Sequence, residues 1–204
     1  MKKIIIGLFA GAILSTSVMA KESTVINGMD FGPLAQLVGT WKTVEVGGVD
    51  VAPDQIKKGE DATTPFYEVI TFEVAADATN ANKQHLNAIY YKQEVFRKSD
   101  GSKFHDERGY FIYDKANKMV YNSFCVPRAT CISAEGKASN SMILEAKNNG
   151  VAESEFMSKN ASTTNFTRTI EVEGDTLQYG QTIGLDIYGK KMIHTDTSTL
   201  KKVK

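Results

Sequence analysis

Along the C-terminal part of the chain, hydrophobic and polar positions alternate with period two. Phe166, Arg168, Ile170 and Val172 share one face, and Thr167, Thr169, Glu171 and Glu173 share the other. Gly174-Asp175 then turns the chain, and Leu177, Tyr179, Gln181, Ile183, Leu185 and Ile187 oppose Gln178, Gly180, Thr182, Gly184 and Asp186. Residues two apart on a strand point to the same side, so the pattern predicts antiparallel strands with one buried face. Gly189 precedes a last strand-like run, KMIHTDTSTLKKV (191–203).

Earlier segments read the same way: TWKTVEV (40–46), FYEVITFEV (66–74), HLNAIYYKQEVF (85–96), FHDERGYFIY (104–113), KMVYNSF (118–124), CISAEGK (131–137) and SMILEAK (141–147), with a weaker run at AESEFM (152–157). Together they make about eleven candidate strands, of which about ten are expected to form. The connections SDGS, DKANK and EGD are hairpin-like, and consecutive hairpins build an up-and-down meander. Closing that meander removes its exposed edges. The expected fold is therefore all-β, an antiparallel barrel of about ten strands. Helix is confined to FGPLAQLVGTW (31–41), where Leu34, Leu37 and Val38 have helical spacing and predict a short plug at one barrel end. DVAPDQIKKGEDATT (50–64) reads as a polar connection with room for a helical turn.

The first twenty residues stand apart from this pattern. MKK, the apolar stretch IIIGLFAGAIL and Val18-Met19-Ala20 have the order of a secretory signal peptide, which places the single mature domain at 21–204 and the protein in the periplasm or outside the cell. The apolar stretch is shorter than the roughly twenty residues a bilayer crossing needs, so no integral membrane segment is expected after cleavage. Lys plus Arg equals Asp plus Glu at 24 each, which gives no field to attract nucleic acid. Cys125 and Cys131, the only two cysteines, fall on either side of a hairpin tip. An oxidising compartment favours their pairing, with two free thiols as the alternative. The chain carries no Gly-x-Ser-x-Gly, His-Glu-x-x-His or phosphate-cradling glycine loop. The default site is then a cavity in the barrel, suited to a small hydrophobic molecule.

Five stretches together resemble the nitrobindin-like haem-binding β-barrels, a family that includes the barrel domain of a THAP-type protein and fatty-acid-binding-like bacterial relatives. They are GTW (39–41), PFYEVITFE (65–73), FHDERGY (104–110), the Pro-Arg of VPRAT (126–130) and LDIYGKKMIHTDTSTLKKV (185–203). The resemblance implies a ten-stranded barrel with haem b at one open end, its iron held by an axial histidine on the last strand. His194 occupies that place. It also implies nitric oxide or peroxynitrite chemistry, peroxynitrite isomerisation included. The alternative is a non-enzymatic carrier of a fatty acid or another hydrophobic ligand. Two departures stand out: Lys42-Thr43-Val44-Glu45 come between the Trp and Gly47-Gly48, and Ile112 stands where the family commonly has Arg.

Each candidate site residue also has a plainer reading. His194 is either an iron ligand or a hydrogen-bonded strand histidine, and its face, shared with Met192 and Asp196, is mixed enough to suit a cavity mouth. Thr40 and Trp41 either border a bound macrocycle or, for the indole, belong to the core. His105 contributes to the pocket or pairs with Glu107, two residues along the same face. Arg128, at the hairpin tip, reaches a ligand carboxylate or stays an exposed turn residue. Tyr90, Tyr91, Tyr179 and Tyr188 are candidate walls, and His85 reads as exposed.

Overall fold

The computed structural model describes residues 23–203. The proposed signal peptide lies outside the described residues. A two-residue hairpin, β1 (Val25–Ile26) and β2 (Met29–Asp30), leads into a 3-10 helix, Gly32–Leu37. The strands that follow are β3 (Gly39–Thr43), β4 (Gly48–Pro53), β5 (Asp61–Asn80), β6 (Gln84–Arg97), β7 (Lys103–Asp114), β8 (Met119–Val126), β9 (Thr130–Lys137) and β10 (Ser141–Glu153). A short helix, α1 (Glu155–Asn160), precedes β11 (Ala161–Glu173), β12 (Thr176–Ile187) and β13 (Lys190–Lys202).

From β5 to β13 each strand pairs antiparallel with the next, and β13 returns to the start of the sheet. Its Leu200–Lys202 end meets β3 and its Thr195–Thr197 stretch meets β4. Both β3 and β4 also pair with β5, so together they make one broken stave and the barrel has ten. The break spans 44–47, and Gly48 opens β4 beside it. A Cβ on Gly48 would stand 2.2 Å from the Phe66 ring and 2.9 Å from the Thr197 carbonyl oxygen, so only glycine lets Phe66 lie across this gap.

Two local expectations are corrected. The 50–64 stretch is a connection only in its middle, because β4 runs to Pro53 and β5 begins at Asp61, and between them Asp54 closes a turn by accepting from the Ile56 and Lys57 amides. AESEFM does not form a strand of its own: β10 ends at Glu153, and Ser154 caps α1 by accepting from the Met157 amide. The N-terminal plug does form, as a 3-10 helix with Leu34 and Leu37 fully buried.

The two barrel ends differ. At the plugged end Phe31, Leu34, Leu37, Trp41, Phe72, Ile89, Phe111 and Leu200 build a continuous apolar core. At the other end the five connections 54–60, 98–102, 127–129, 154–160 and 188–189 surround an opening. No helix among the described residues is long and apolar enough to cross a membrane.

Candidate functional site

The open end leads into a cavity of about 500 Å³. Its apolar wall comes from Phe66, Val95, Phe104, Leu185 and Ile187, while Arg97 and Arg128 stand among its cationic lining residues. Arg128 is in the exposed turn after β8, and Arg97 lies 4.4 Å from the Phe104 ring centroid. Cys125 and Cys131 face each other directly across the hairpin that carries Arg128 and are disulfide-bonded.

The floor is polar because the register lines up polar residues on adjacent staves. Arg168 on β11 is opposite Gln181 on β12, Gln181 is opposite Asp196 on β13, and Asp196 is opposite Asp50 on β4. Thr64 of β5 continues the row beside Asp50. Like charges placed directly opposite repel, so Asp50 and Asp196 need a counterion. His194, two residues before Asp196 on the same face, supplies it. Its Nε2 lies 2.6 Å from Asp50 Oδ1 and 3.4 Å from Asp196 Oδ2.

Electrostatics follow from that placement. Burial opposes charge on the imidazole, but contact with Asp196 and Asp50 outweighs it and raises His194 to about 9. Burial and the neighbouring Asp196 raise Asp50, against the pull of His194. Asp196 also pays for burial but is held low by His194 and by the Gln181 amide. That amide has only one workable orientation. Arg168 offers donors alone, so Gln181 must turn Oε1 to Arg168 Nη2 at 2.6 Å and its NH₂ to Asp196 Oδ2 at 2.5 Å.

Arg168 is fixed in turn by Glu107, whose carboxylate accepts from Nη1 at 2.9 Å and Nη2 at 3.0 Å. Asn122 Oδ1 accepts from Nη1 as well, and the Tyr91 hydroxyl donates to Glu107. Burial works against the Glu107 charge, yet Arg168 and His105 bring its carboxyl down to about 2. A second carboxyl, Glu68, accepts from Gln93 at 2.6 Å and from the Tyr179 hydroxyl at 3.0 Å. Burial lifts it to about 7.

The structure gathers three of the five sequence candidates at this cavity: His194, His105 and Arg128. His105 also sits 3.7 Å from Glu107, so its two readings coexist. Thr40 and Trp41 are corrected. They pair with Thr71 and Ile70 of β5, away from the cavity lining, and the fully buried indole donates its N–H to the Leu37 carbonyl at 2.7 Å. Tyr179 and Tyr188 line the cavity, whereas Tyr91 is core and Tyr90 packs on Tyr110. His85 is exposed. Sequence reading missed Asp50 and the roles of Arg168 and Gln181. The available signal was an arginine and a glutamine each occupying an otherwise apolar strand face.

A closed ten-stave barrel with one plugged end and a cavity at the other is a ligand-binding barrel. Residues 30–202 match the family described as THAP4-like, heme-binding beta-barrel domain, and the chain belongs to that family. Among solved structures it resembles Rv2717c from M. tuberculosis, with 16% identity and a TM-score of 0.58 over 84% of this chain and 95% of that one. It is also similar to the S-type phycobiliprotein lyase CPES from Guillardia theta, at 12% identity and a TM-score of 0.48 over 83% and 89% of the two chains. No curated protein matches it significantly.

Proposed function

We propose that this protein binds one amphipathic organic carboxylate in the open-end cavity, with its apolar body against Leu185, Ile187, Val95 and Phe104 and its carboxylate towards Arg97 and Arg128. The observation that carries the reading is the pairing of two guanidiniums with an apolar wall in a cavity of about 500 Å³, within the usual range for a small-molecule site. Haem b and a long-chain fatty acid share this chemistry. Family membership favours haem b, and its propionates and flat apolar ring suit the arginines and the wall.

The axial bond does not suit the residues as arranged. A haem ligand must offer iron a neutral nitrogen. His194 Nε2 is instead shared between Asp50 and Asp196, and haem iron taking that nitrogen would leave both carboxylates without their counterion. Binding is therefore the function assigned. Location in the periplasm or outside the cell is part of the proposal, supported by the Cys125–Cys131 bond.

The test is to titrate the purified protein with hemin and, separately, with oleate displacing a fluorescent dye. Binding of either, weakened about tenfold by Arg97→Gln or Arg128→Gln, supports the reading, because a charge-assisted contact is worth about 1.5–3 kcal/mol. Which of the two binds identifies the source of the carboxylate. Failure of both to bind, or indifference to both arginine variants, overturns it.

A further inference from the structure

We infer that Asp50, His194 and Asp196 form a binding site for one divalent transition-metal cation, with zinc as the representative probe. The donor set is mixed: one imidazole nitrogen and two carboxylate oxygens from β4 and β13, all within 4.8 Å of one another. A tetrahedral zinc site places ligands about 2.0–2.2 Å from the metal and therefore about 3.4 Å from each other. The Nε2 to Asp196 Oδ2 distance is already 3.4 Å. The Nε2 to Asp50 Oδ1 distance is 2.6 Å, so Asp50 has to recede by roughly 0.8 Å as the metal replaces the proton on Nε2. That proton leaves to solvent.

Three independent features mark this as a site rather than an ion pair alone. Two carboxylates flank one imidazole, which leaves the cluster with excess negative charge when all three are ionised. The ligands also have an outer layer: Gln181, locked by Arg168, holds Asp196 in one orientation, and such support is what tunes natural metal sites. Finally, the three side chains line the cavity. Three protein ligands facing open space leave a coordination position for an exogenous group, the arrangement of a working metal centre rather than a purely structural one. Imidazole with carboxylates suits zinc, iron or manganese over copper(I), which prefers sulfur.

The proposal uses the same cavity as the carboxylate reading but does not rest on it, and separate variants tell the two apart. Calorimetry of the chelator-treated full chain with zinc chloride is expected to show one equivalent bound. Asp50→Asn and Asp196→Asn should each weaken it at least tenfold while keeping the wild-type far-ultraviolet circular dichroism spectrum, and Arg97→Gln leaves it unaltered. X-ray absorption at the zinc edge should find one imidazole and oxygen ligands. Absence of binding at millimolar zinc, binding that survives both Asn substitutions, or a spectrum dominated by two imidazoles overturns the assignment. Failure of both hemin and oleate to bind, with zinc binding intact, would sink the carboxylate reading alone.

Discussion

Replacing Glu107 by Gln removes the charge that fixes Arg168 while keeping the shape of the side chain. Both residues are almost fully buried, at 1% and 3% exposure, so water cannot substitute for the lost partner. Breaking one side of a buried ion pair costs about 3–5 kcal/mol. The same pairing brings the carboxyl from 4.5 to about 2, which corresponds to about 3 kcal/mol at about 1.36 kcal/mol for each tenfold change in acidity. Against a total stability of about 5–15 kcal/mol, that is a large fraction. Urea unfolding at pH 7 should show it as a midpoint lowered by about 1.5 M, for a slope of about 2 kcal/mol per molar. The folded carboxyl lies below its ordinary value, so its contribution is complete above pH 4.5 and fades as pH falls towards 2. The gap between wild type and Glu107→Gln should therefore narrow in acid. The joint replacement Glu107→Leu with Arg168→Met should recover much of the loss, since no buried charge is then left alone. A penalty under about 1 kcal/mol at pH 7, or a gap constant down to pH 3, would refute the reasoning.

His194 carries the opposite sign. Its folded value is raised from 6.5 to about 9, so the stabilisation from its ion pair is complete below pH 6.5 and is lost as pH rises through 9; melting of metal-free wild type and His194→Gln from pH 6 to 10 should converge at the alkaline end. Trp41→Phe removes the bond to the Leu37 carbonyl and should lower stability by about 1–3 kcal/mol while leaving hemin and oleate titrations unchanged; an altered affinity would put the indole back at the site.

The barrel was legible because its signal is local. Alternation on either side of Gly174-Asp175 predicts the β11–β12 hairpin, and the structure pairs Val172 with Leu177 across that turn. The β3–β4 break was less visible, since a stave made of two short pieces has the same composition as a strand followed by a loop. The AESEFM run misleads because two turns' worth of mixed residues fits alternation as well as it fits a capped helix. At the site, His194, His105 and Arg128 were recognisable as unusual residues at informative places. Asp50 was not, because nothing local distinguishes it from its polar surroundings. Its importance comes from the closing register that sets it against Asp196. Thr40 and Trp41 adjoin the barrel start in sequence, but strand direction carries them to the plugged end.

His194 and Asp50 touch across the seam where the sheet closes, although 144 residues separate them along the chain. Pairings between distant segments form slowly, and a barrel cannot seal until its final stave has arrived. The cluster thus forms only once β13 has met β4. Ligand capture at the floor is coupled to closure of the sheet, and a bound cation would act as a clasp between β4 and β13.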